Sequence, residues 1–378
     1  MKFSMIFEAQ IADASRKSEF QIMHDCVEQA VLAEEQGFDR VWAVEHHCLQ
    51  WYAHMSAPET FLAFVAGKTS RIRIGHGVVC LPFRMNHPVK VAERVAMLDI
   101  LSKGRVDFGI GKGGTHQESG AFQTEMEEIP AQLEESGRMI PRMWQSEFFE
   151  HRSEGMEIPR RPILPKPYQD PHPPMYLACT REATLNQAGE WGLGALVLGF
   201  AGPEDIEQKN SVYRAAVKRR TPQSQMGAFP VEHLSALCPA IVLEDGAKAR
   251  AIGHRGQRFF TEAIRHWYTP GPGAPPPRAE IADMDDVEAL RQQGEELVAY
   301  LHEEKIAVGT EATGLFNPNH AYGTVKDAIG YCERLVLAGA DEIMFLIQMG
   351  TVPQAAALET IRNLGQHVLP HFRGRGGS

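Results

Sequence analysis

Short apolar runs, rich in β-branched residues, alternate with longer amphipathic stretches along most of the chain. The first run, Phe3–Phe7, predicts a strand, and Glu19–Gln36 predicts a helix because its apolar residues recur along one stripe. Gly37 supplies the end of that helix. The same pattern predicts further strands at Asp39–Val44, Ile72–Leu81, Arg105–Ile110, Met175–Ala178, Ala195–Leu198, Ala240–Leu243 and Glu342–Ile347. It predicts further helices at Pro58–Lys68, Val89–Leu101, Gln132–Gln145, Arg181–Glu190, Pro203–Arg219, Ala247–Tyr268, Val325–Ala338 and Pro353–Leu369.

Eight predicted strands, each followed by a helix, favour a single (β/α)8 TIM barrel, an α/β fold, over two open sheets. A doubly wound sheet with a second domain is the competing architecture, but no shift in composition marks its boundary. We therefore predict one barrel domain over residues 1–372 and a flexible tail over residues 373–378.

Two segments interrupt the alternation of strands and helices. Residues 152–174 carry many prolines and predict an extended surface loop without regular structure. Residues 269–302 begin with a proline- and glycine-rich stretch and continue into an acidic, partly helical run inside one βα unit. Long insertions in a barrel are usually lids or binding loops, so we predict a lid here; a surface decoration is the alternative.

Composition and charge exclude several classes of protein. The chain has 378 residues, 43% of them hydrophobic, and a formal net charge of −10, which makes nucleic acids and anionic membranes poor partners. Its start lacks the apolar core of a signal peptide, and no apolar run is long enough to span a bilayer. The six cysteines lie far apart and contain no C-x-x-C pair, as is typical of the reducing cytosol. We expect a cytoplasmic enzyme.

Three ionisable residues, Glu45, His46 and His47, directly follow the second predicted strand. Catalytic groups of a barrel lie at the C-terminal ends of its strands, so these side chains belong at the mouth. A histidine there can transfer protons near neutral pH, and a neighbouring carboxylate can orient it. A metal site and a purely structural pair of histidines remain the alternatives.

Two other strand ends carry candidate phosphate-binding residues. The glycine-rich run after the fourth strand contains Lys112, and its glycines allow a ligand close to the backbone; a tight turn is equally compatible. After the fifth strand, Thr180, Arg181 and Thr184 open a helix whose free N–H groups suit a phosphate, although Thr180 alone predicts a simple N-cap. Arg138, on the helix after the fourth strand, is a further candidate cation.

The block Gly75–Gly114 resembles the bacterial luciferase-like flavin-dependent monooxygenases. The motifs that carry the resemblance are His87-Pro88-Val89, Ala92-Glu93, Leu98-Asp99, Ser102-Lys103-Gly104-Arg105, Phe108-Gly109-Ile110, Glu45-His46-His47, Gly323-Thr324, His266-Trp267-Tyr268 and Val368-Leu369-Pro370. They occur in a constant order from Met1 to about Phe372, and as a set they are specific although each motif alone is weak.

This resemblance implies a two-component monooxygenase. Such an enzyme takes reduced FMN (FMNH2) from a separate flavin reductase, reacts it with O2 to a C4a-peroxyflavin, and oxygenates a small organic substrate. It also implies a homodimer. The alternatives are a deazaflavin-dependent oxidoreductase that transfers hydride on the same fold, and a non-catalytic flavin-binding partner subunit.

The resemblance also assigns roles to residues. His46 matches the catalytic histidine, flanked by Glu45 and His47, and Gly111 stands where the light-emitting enzymes carry a reactive cysteine. Gly77-Val78 falls at an unusual cis peptide under the flavin ring. The implied cofactor-binding residues are Gly77, Val78, Gly111, Lys112, Arg138, Thr180, Arg181, Thr184, Gly199 and Phe200. The candidate substrate-pocket residues, chosen for their apolar bulk, are Trp51, Phe83, Met85, Trp267 and Met349, and no metal is expected.

Overall fold

The computed structural model describes residues 1–113, 115–198, 202–264 and 317–374, together with positions 287, 288, 290–292, 295, 296 and 299. Eight parallel strands close into a barrel, in which the last strand pairs with the first through Glu342 and Lys2. The predicted (β/α)8 barrel is therefore confirmed. The barrel strands are β1 (Lys2–Phe7), β2 (Arg40–Ala43), β3 (Arg73–Cys80), β4 (Val106–Gly111), β7 (Met175–Cys179), β8 (Gly194–Val197), β9 (Leu234–Val242) and β11 (Glu342–Leu346).

The helices surround the barrel, and the bounds of two of them agree with the sequence prediction to the residue. Within the described ranges, no helix combines the length and the apolar character that crossing a membrane requires. The helices are α1 (Arg16–Glu35), α2 (Pro58–Lys68), α3 (Pro88–Leu101), α4 (His116–Phe122), α5 (Ile129–Gln145), α6 (Glu182–Trp191), α7 (Pro203–Arg219), α8 (Gly246–Ala263), α9 (Val325–Leu337), α10 (Gln354–Asn363) and α11 (Leu369–Arg373), with a π-helical turn at Leu364–Val368.

The seventh barrel strand is longer than its predicted span. Strand β9 begins at Leu234, whereas the sequence pattern places its start at Ala240. Pro239 lies in the middle of the strand, and since a proline cannot donate a ladder hydrogen bond, it makes the first half look like a loop. The C-terminal end of β9 pairs with an additional three-residue strand, β10 (Ala321–Gly323), that no pattern indicated.

The proline-rich segment is not wholly irregular, contrary to the expectation for residues 152–174. Residues Glu157–Arg161 form β6, which pairs antiparallel with β5 (Phe149–Arg152). Pro159 is tolerated because β6 is an edge strand of a two-stranded sheet. Arg373, placed in the tail by the sequence, ends α11 and donates hydrogen bonds to the carbonyl of Gly37 and to Asp39.

Large and small residues alternate inside the barrel. A Cβ on Gly75 would lie 2.1 Å from the Trp42 ring, and one on Gly194 would lie 2.3 Å from the Tyr176 ring, so both glycines make room for an aromatic neighbour. At the N-terminal ends of the strands, Arg40 lies between buried carboxylates. This packed and charged layer closes one end of the barrel and leaves the C-terminal mouth for chemistry.

Candidate active site at the barrel mouth

The Glu45–His47 motif lies at the mouth, two residues beyond the end of β2, as its position in the sequence predicts. The loop that carries it is held by backbone hydrogen bonds: the N–H of His46 donates to the carbonyl of Met55 at 3.1 Å, and that of His54 to Glu8 at 3.2 Å. The end of β2 therefore fixes the backbone position of His46, and the hydrogen-bonded loop fixes the direction of its side chain.

His46 is oriented by a carboxylate that the sequence did not single out. Its Nδ1 lies 3.0 Å from Oε1 of Glu118, the same oxygen that accepts the backbone N–H of His47 at 3.0 Å. The other oxygen of Glu118 accepts the hydroxyl of Thr115 at 2.8 Å, in a capping box that starts α4. Glu118 is fully buried. The first turn of α4 therefore places one carboxylate against the histidine loop.

Glu118 and His46 shift each other's pKa values in opposite directions. Burial alone would raise the pKa of Glu118, but the hydrogen bond and positive charge of His46, with the bonds from Thr115 and His47, lower it to about 2. Burial would lower the pKa of His46, but the hydrogen bond to Glu118 and the charges of Glu118, Glu8 and Glu45 raise it above its ordinary value. The hydrogen bond to Glu118 thus favours the protonated form of the His46 ring.

Glu45 holds loops together. Its Oε1 accepts from Asn86 at 2.7 Å and lies 3.1 Å from Nε2 of His47, and its Oε2 accepts the backbone N–H of Cys80 at 2.8 Å. The His47 ring meets the edge of Phe122 on α4. These contacts join the ends of β2 and β3 to α4, and the predicted catalytic roles of Glu45 and His47 stay predictions.

The ends of β3 and β4 approach each other closely. The peptide bond between Gly77 and Val78 is cis, as the resemblance implied. A Cβ on Gly111 would lie 2.3 Å from Cγ2 of Val78, so the crowding explains why glycine, and not a larger residue such as cysteine, occupies this position. The assignment of Gly77, Val78 and Gly111 to the surface under a flavin ring remains a prediction.

Lys112 and Arg181 follow the C-terminal ends of β4 and β7, two strands that pair in the barrel. Burial, followed by the positive charge of Arg181, lowers the pKa of Lys112. Neither cation forms an ion pair with another described residue. Arg181, not Thr180, is the N-cap of α6, which corrects the simple capping alternative for Thr180; the Thr184 hydroxyl donates to the Arg181 carbonyl at 2.7 Å. The helix N-terminus adds partial positive charge at the same place.

Arg138 is occupied elsewhere. Its guanidinium donates to Glu134, one turn earlier in α5, at 3.0 Å and to the carbonyl of Ser224 at 3.3 Å. No contact within the described part of the chain joins it to Lys112 or Arg181. Its assignment to the phosphate therefore remains a prediction that requires the side chain to leave Glu134.

The candidate substrate residues are only partly brought together. Met85 lies beside the glycine-rich loop, where a Cβ on Gly113 would be 3.4 Å from its sulfur, and Phe83 packs near Gly155 of the β5–β6 hairpin. Trp51 is half-buried and its carbonyl accepts from Gln10, whereas Met349 is fully buried. Trp267, Gly199 and Phe200 lie outside the described residues. So does residue range 269–302 apart from the few positions given above, and its role as a lid stays a prediction.

Sequence reasoning missed two acidic residues of this mouth, Glu8 and Glu118. Glu8 follows β1 directly, and the same position after a strand identified Glu45. Glu8 was missed because no second ionisable residue stands beside it in the sequence. Glu118 lies three residues after Thr115 in a capping-box pattern, which indicates a helix start and not a site. Among the described residues, no group of three or more His, Cys, Asp or Glu side chains is arranged to hold a metal ion.

Comparisons with known proteins identify the family to which this chain is similar. The sequence profile described as luciferase-like monooxygenase matches residues 1–314. The oxygenase component of the flavin-dependent trigonelline monooxygenase of Acinetobacter baylyi is 24% identical over 98% of this chain and 96% of its own length. The crystal structure of monooxygenase RslO1 from Streptomyces bottropensis has a TM-score of 0.74 and 25% identity, covering 98% of this chain and 100% of that one.

A relative with a different cofactor also matches. The F420-dependent glucose-6-phosphate dehydrogenase of Amycolatopsis mediterranei is 34% identical over 48% of this chain and 55% of its own length. The profile match nevertheless covers more than half of the chain. The chain therefore belongs to the luciferase-like family of flavin-dependent monooxygenases.

Proposed function

We propose that this protein is the oxygenase component of a two-component monooxygenase, which takes reduced FMN from a separate reductase and uses O2 to oxygenate a small organic substrate. The observation that supports it best is the presence of two cations, Lys112 and Arg181, at the C-terminal ends of the paired strands β4 and β7. The positive charge of Arg181 acts on Lys112, and neither cation is neutralised by a carboxylate within the described residues. A phosphate dianion is the ligand that this arrangement fits.

The remaining donors fit FMN as well. The hydroxyl of Thr180 and the first N–H groups of α6 would complete the phosphate site, and Gly77, Val78 and Gly111 would accept the flat ring. Because the protein is acidic overall, these local cations are needed to hold an anionic cofactor. Reduced FMN, when bound, supplies the electrons that allow O2 to react with the substrate.

The chain itself contributes a proton-exchanging group, the His46 side chain, to the reaction. Nδ1 of His46 lies against Glu118, so we assign the exchange of a proton with oxygen or substrate to Nε2. Tyr52 packs edge-on against the His46 ring, with 5.2 Å between ring centroids, and limits its rotation. His46 therefore acts as the general acid–base group, while Glu118 orients it.

Hydride transfer with a deazaflavin is the second candidate function, favoured by the F420-dependent relative. One titration distinguishes the two. Without O2, reduced FMN, reduced riboflavin and reduced F420 are each added to the protein, and binding is followed by fluorescence. We expect reduced FMN to bind more tightly than either competitor. Tight binding of F420 alone would favour the second function.

The phosphate site gives the first quantitative prediction. Lys112→Ala is expected to weaken binding of reduced FMN by about 1.5–3 kcal/mol, or roughly 10- to 100-fold, because a hydrogen bond to a charged group is lost. Binding of riboflavin, which lacks the phosphate, should not change. Lys248→Ala, at an exposed lysine of α8, is the matched control and should bind both flavins normally. Equal loss of FMN and riboflavin affinity would place Lys112 away from the phosphate.

The homodimer is also part of this proposal. Four large apolar side chains are exposed on the neighbouring helices α2 and α3, namely Phe64, Met97, Ile100 and Leu101, the last 65% exposed. An apolar patch of this kind is typical of an interface. We expect light scattering to give twice the 42.0 kDa chain mass for the wild type and the chain mass for the double variant Met97→Glu, Leu101→Glu.

The control for the dimer is an equally exposed apolar residue elsewhere. Leu337, on α9, is 85% exposed, so Leu337→Glu introduces the same charge away from the patch and should leave the mass unchanged. A monomeric wild type would disprove the dimer, and a dimeric double variant would move the interface to another surface.

A further inference from the structure

Glu8 is a buried acid at the barrel mouth that the proposed reaction does not use. It follows the last residue of β1 directly, and only 6% of its surface is exposed. Its carbonyl accepts the N–H of His54, so the backbone of Glu8 is bonded to the loop that carries His46. The carboxyl group therefore belongs structurally to the histidine loop, although it lies 38 positions earlier in the chain.

The carboxyl group is only half satisfied. Oε1 accepts the hydroxyl of Tyr52 at 3.3 Å, whereas Oε2 is buried and has no hydrogen-bond partner among the residues that the structure describes. Tyr52 is the residue whose ring lies against His46. A buried carboxylate with an unsatisfied oxygen is costly, so a structural role alone would favour an apolar residue at this place.

The charges around Glu8 define how it interacts with His46. Burial raises the pKa of Glu8 to about 7, the negative charge of Glu118 on α4 adds to that effect, and the positive charge of His46 and the hydrogen bond from Tyr52 oppose it. Conversely, Glu8 is one of the carboxylates whose charge raises the pKa of His46, together with Glu118 and Glu45. Each group thus changes its affinity for a proton when the other one ionises.

We infer that Glu8 is a positioning residue that controls the proton occupancy of His46 through its charge. When Glu8 is ionised, His46 keeps its proton; when Glu8 is protonated, His46 releases its proton more readily. Glu118 holds the imidazole in place, and Glu8 adjusts its acidity. This role goes beyond the proposed function, because it concerns the protein without any bound flavin.

The test measures His46 directly in the flavin-free protein. The protein is labelled with ¹⁵N in histidine, the His46 ring signals are identified by their loss in His46→Gln, and the pH midpoint is recorded by NMR. Glu8→Gln, which keeps the shape and removes the charge, is expected to lower the midpoint of His46 by about one pH unit, the lower end of the shift that a neighbouring opposite charge produces. Glu8→Asp should retain most of the elevated midpoint.

A matched control is available on α1. Glu19 is an exposed carboxylate 3.7 Å from His54 on the same loop, so Glu19→Gln removes an equal charge from a different histidine and should leave His46 unchanged. An unchanged His46 midpoint in a folded Glu8→Gln variant would overturn the inference. If circular dichroism shows that this variant does not fold, the pH titration of the His46 signals in the wild type is the test. A two-step titration supports coupling to Glu8, and a single step overturns it.

Discussion

Replacing His46 with asparagine is expected to lower the turnover number of the reconstituted oxygenase by about 10²–10⁴-fold, the usual contribution of a well-placed acid–base group. Asparagine retains a hydrogen-bond donor toward Glu118 but cannot exchange a proton near neutral pH. Affinity for reduced FMN should stay at the wild-type level, because the phosphate is assigned to the ends of β4 and β7 and not to the histidine loop.

The measurement separates oxygenation from wasted oxidation. Product formation, O2 consumption and H2O2 release are recorded together with saturating reduced FMN, so that a variant that still reacts with O2 but does not oxygenate is recognised. His54→Asn is the control on the same loop, since the His54 ring bonds to the carbonyl of Gln50 and not to Glu118. Unchanged product formation in His46→Asn would remove His46 from the reaction.

The sequence pattern predicts where the barrel strands end, and therefore predicts that His46 lies at the mouth of the barrel. Alternating apolar runs fix which residues leave each strand at the mouth, because the C-terminal ends of parallel strands lie at one face. That reasoning places Glu45, Lys112 and Arg181 on the same face correctly. It does not extend to the partners, since Glu118 reaches His46 across 72 positions and only the packing of α4 brings the two together.

Side-chain direction explains where the sequence prediction stops. Arg138 occupies a helix that lies next to β4, yet its guanidinium bonds to Glu134 and to the backbone at Ser224. Sequence spacing determines the helix and its position, whereas the choice among rotamers depends on neighbours contributed by a distant loop. Strand β9 is also determined by distant neighbours. Pro239 makes the sequence pattern look like a loop, but pairing with the adjacent barrel strands keeps this segment extended.

The largest expected effect on stability comes from the opposite end of the barrel. Arg40 is only 7% exposed and lies 3.4 Å from Asp107 and 3.5 Å from Glu342, both of which are buried. Its guanidinium also donates to the Tyr176 hydroxyl and lies over the Trp42 ring. Arg40→Met removes the cation, while Asp107 keeps its pair with Arg73 and Glu342 keeps its contact with His233. We expect the free energy of unfolding to fall by about 3 kcal/mol, the lower end of the cost of breaking a buried pair.

Urea unfolding at pH 7 tests this value against an exposed pair. Arg219 is 50% exposed and bonds to Glu190 at 2.9 Å, so Arg219→Met makes the same chemical change at the surface. That control should cost no more than about 1 kcal/mol, because water screens the pair. Equal losses in the two variants would mean that burial of Arg40 contributes nothing to its effect.

The pH dependence distinguishes lost charge from lost packing. Burial alone would raise the pKa of Glu342, but the charge of Arg40, assisted by the hydrogen bond from His233, lowers it to about 2, against about 4.3 for an unfolded glutamate. The stabilisation from this group is therefore complete above about pH 4.3 and is lost as the pH falls toward 2. In Arg40→Met the pKa of Glu342 should return toward its ordinary value, so the stability gap between wild type and variant should be widest at pH 7 and narrower at pH 3. A gap of equal size at both pH values would assign the loss to packing around Trp42 and Tyr176 instead of to the buried ion pairs.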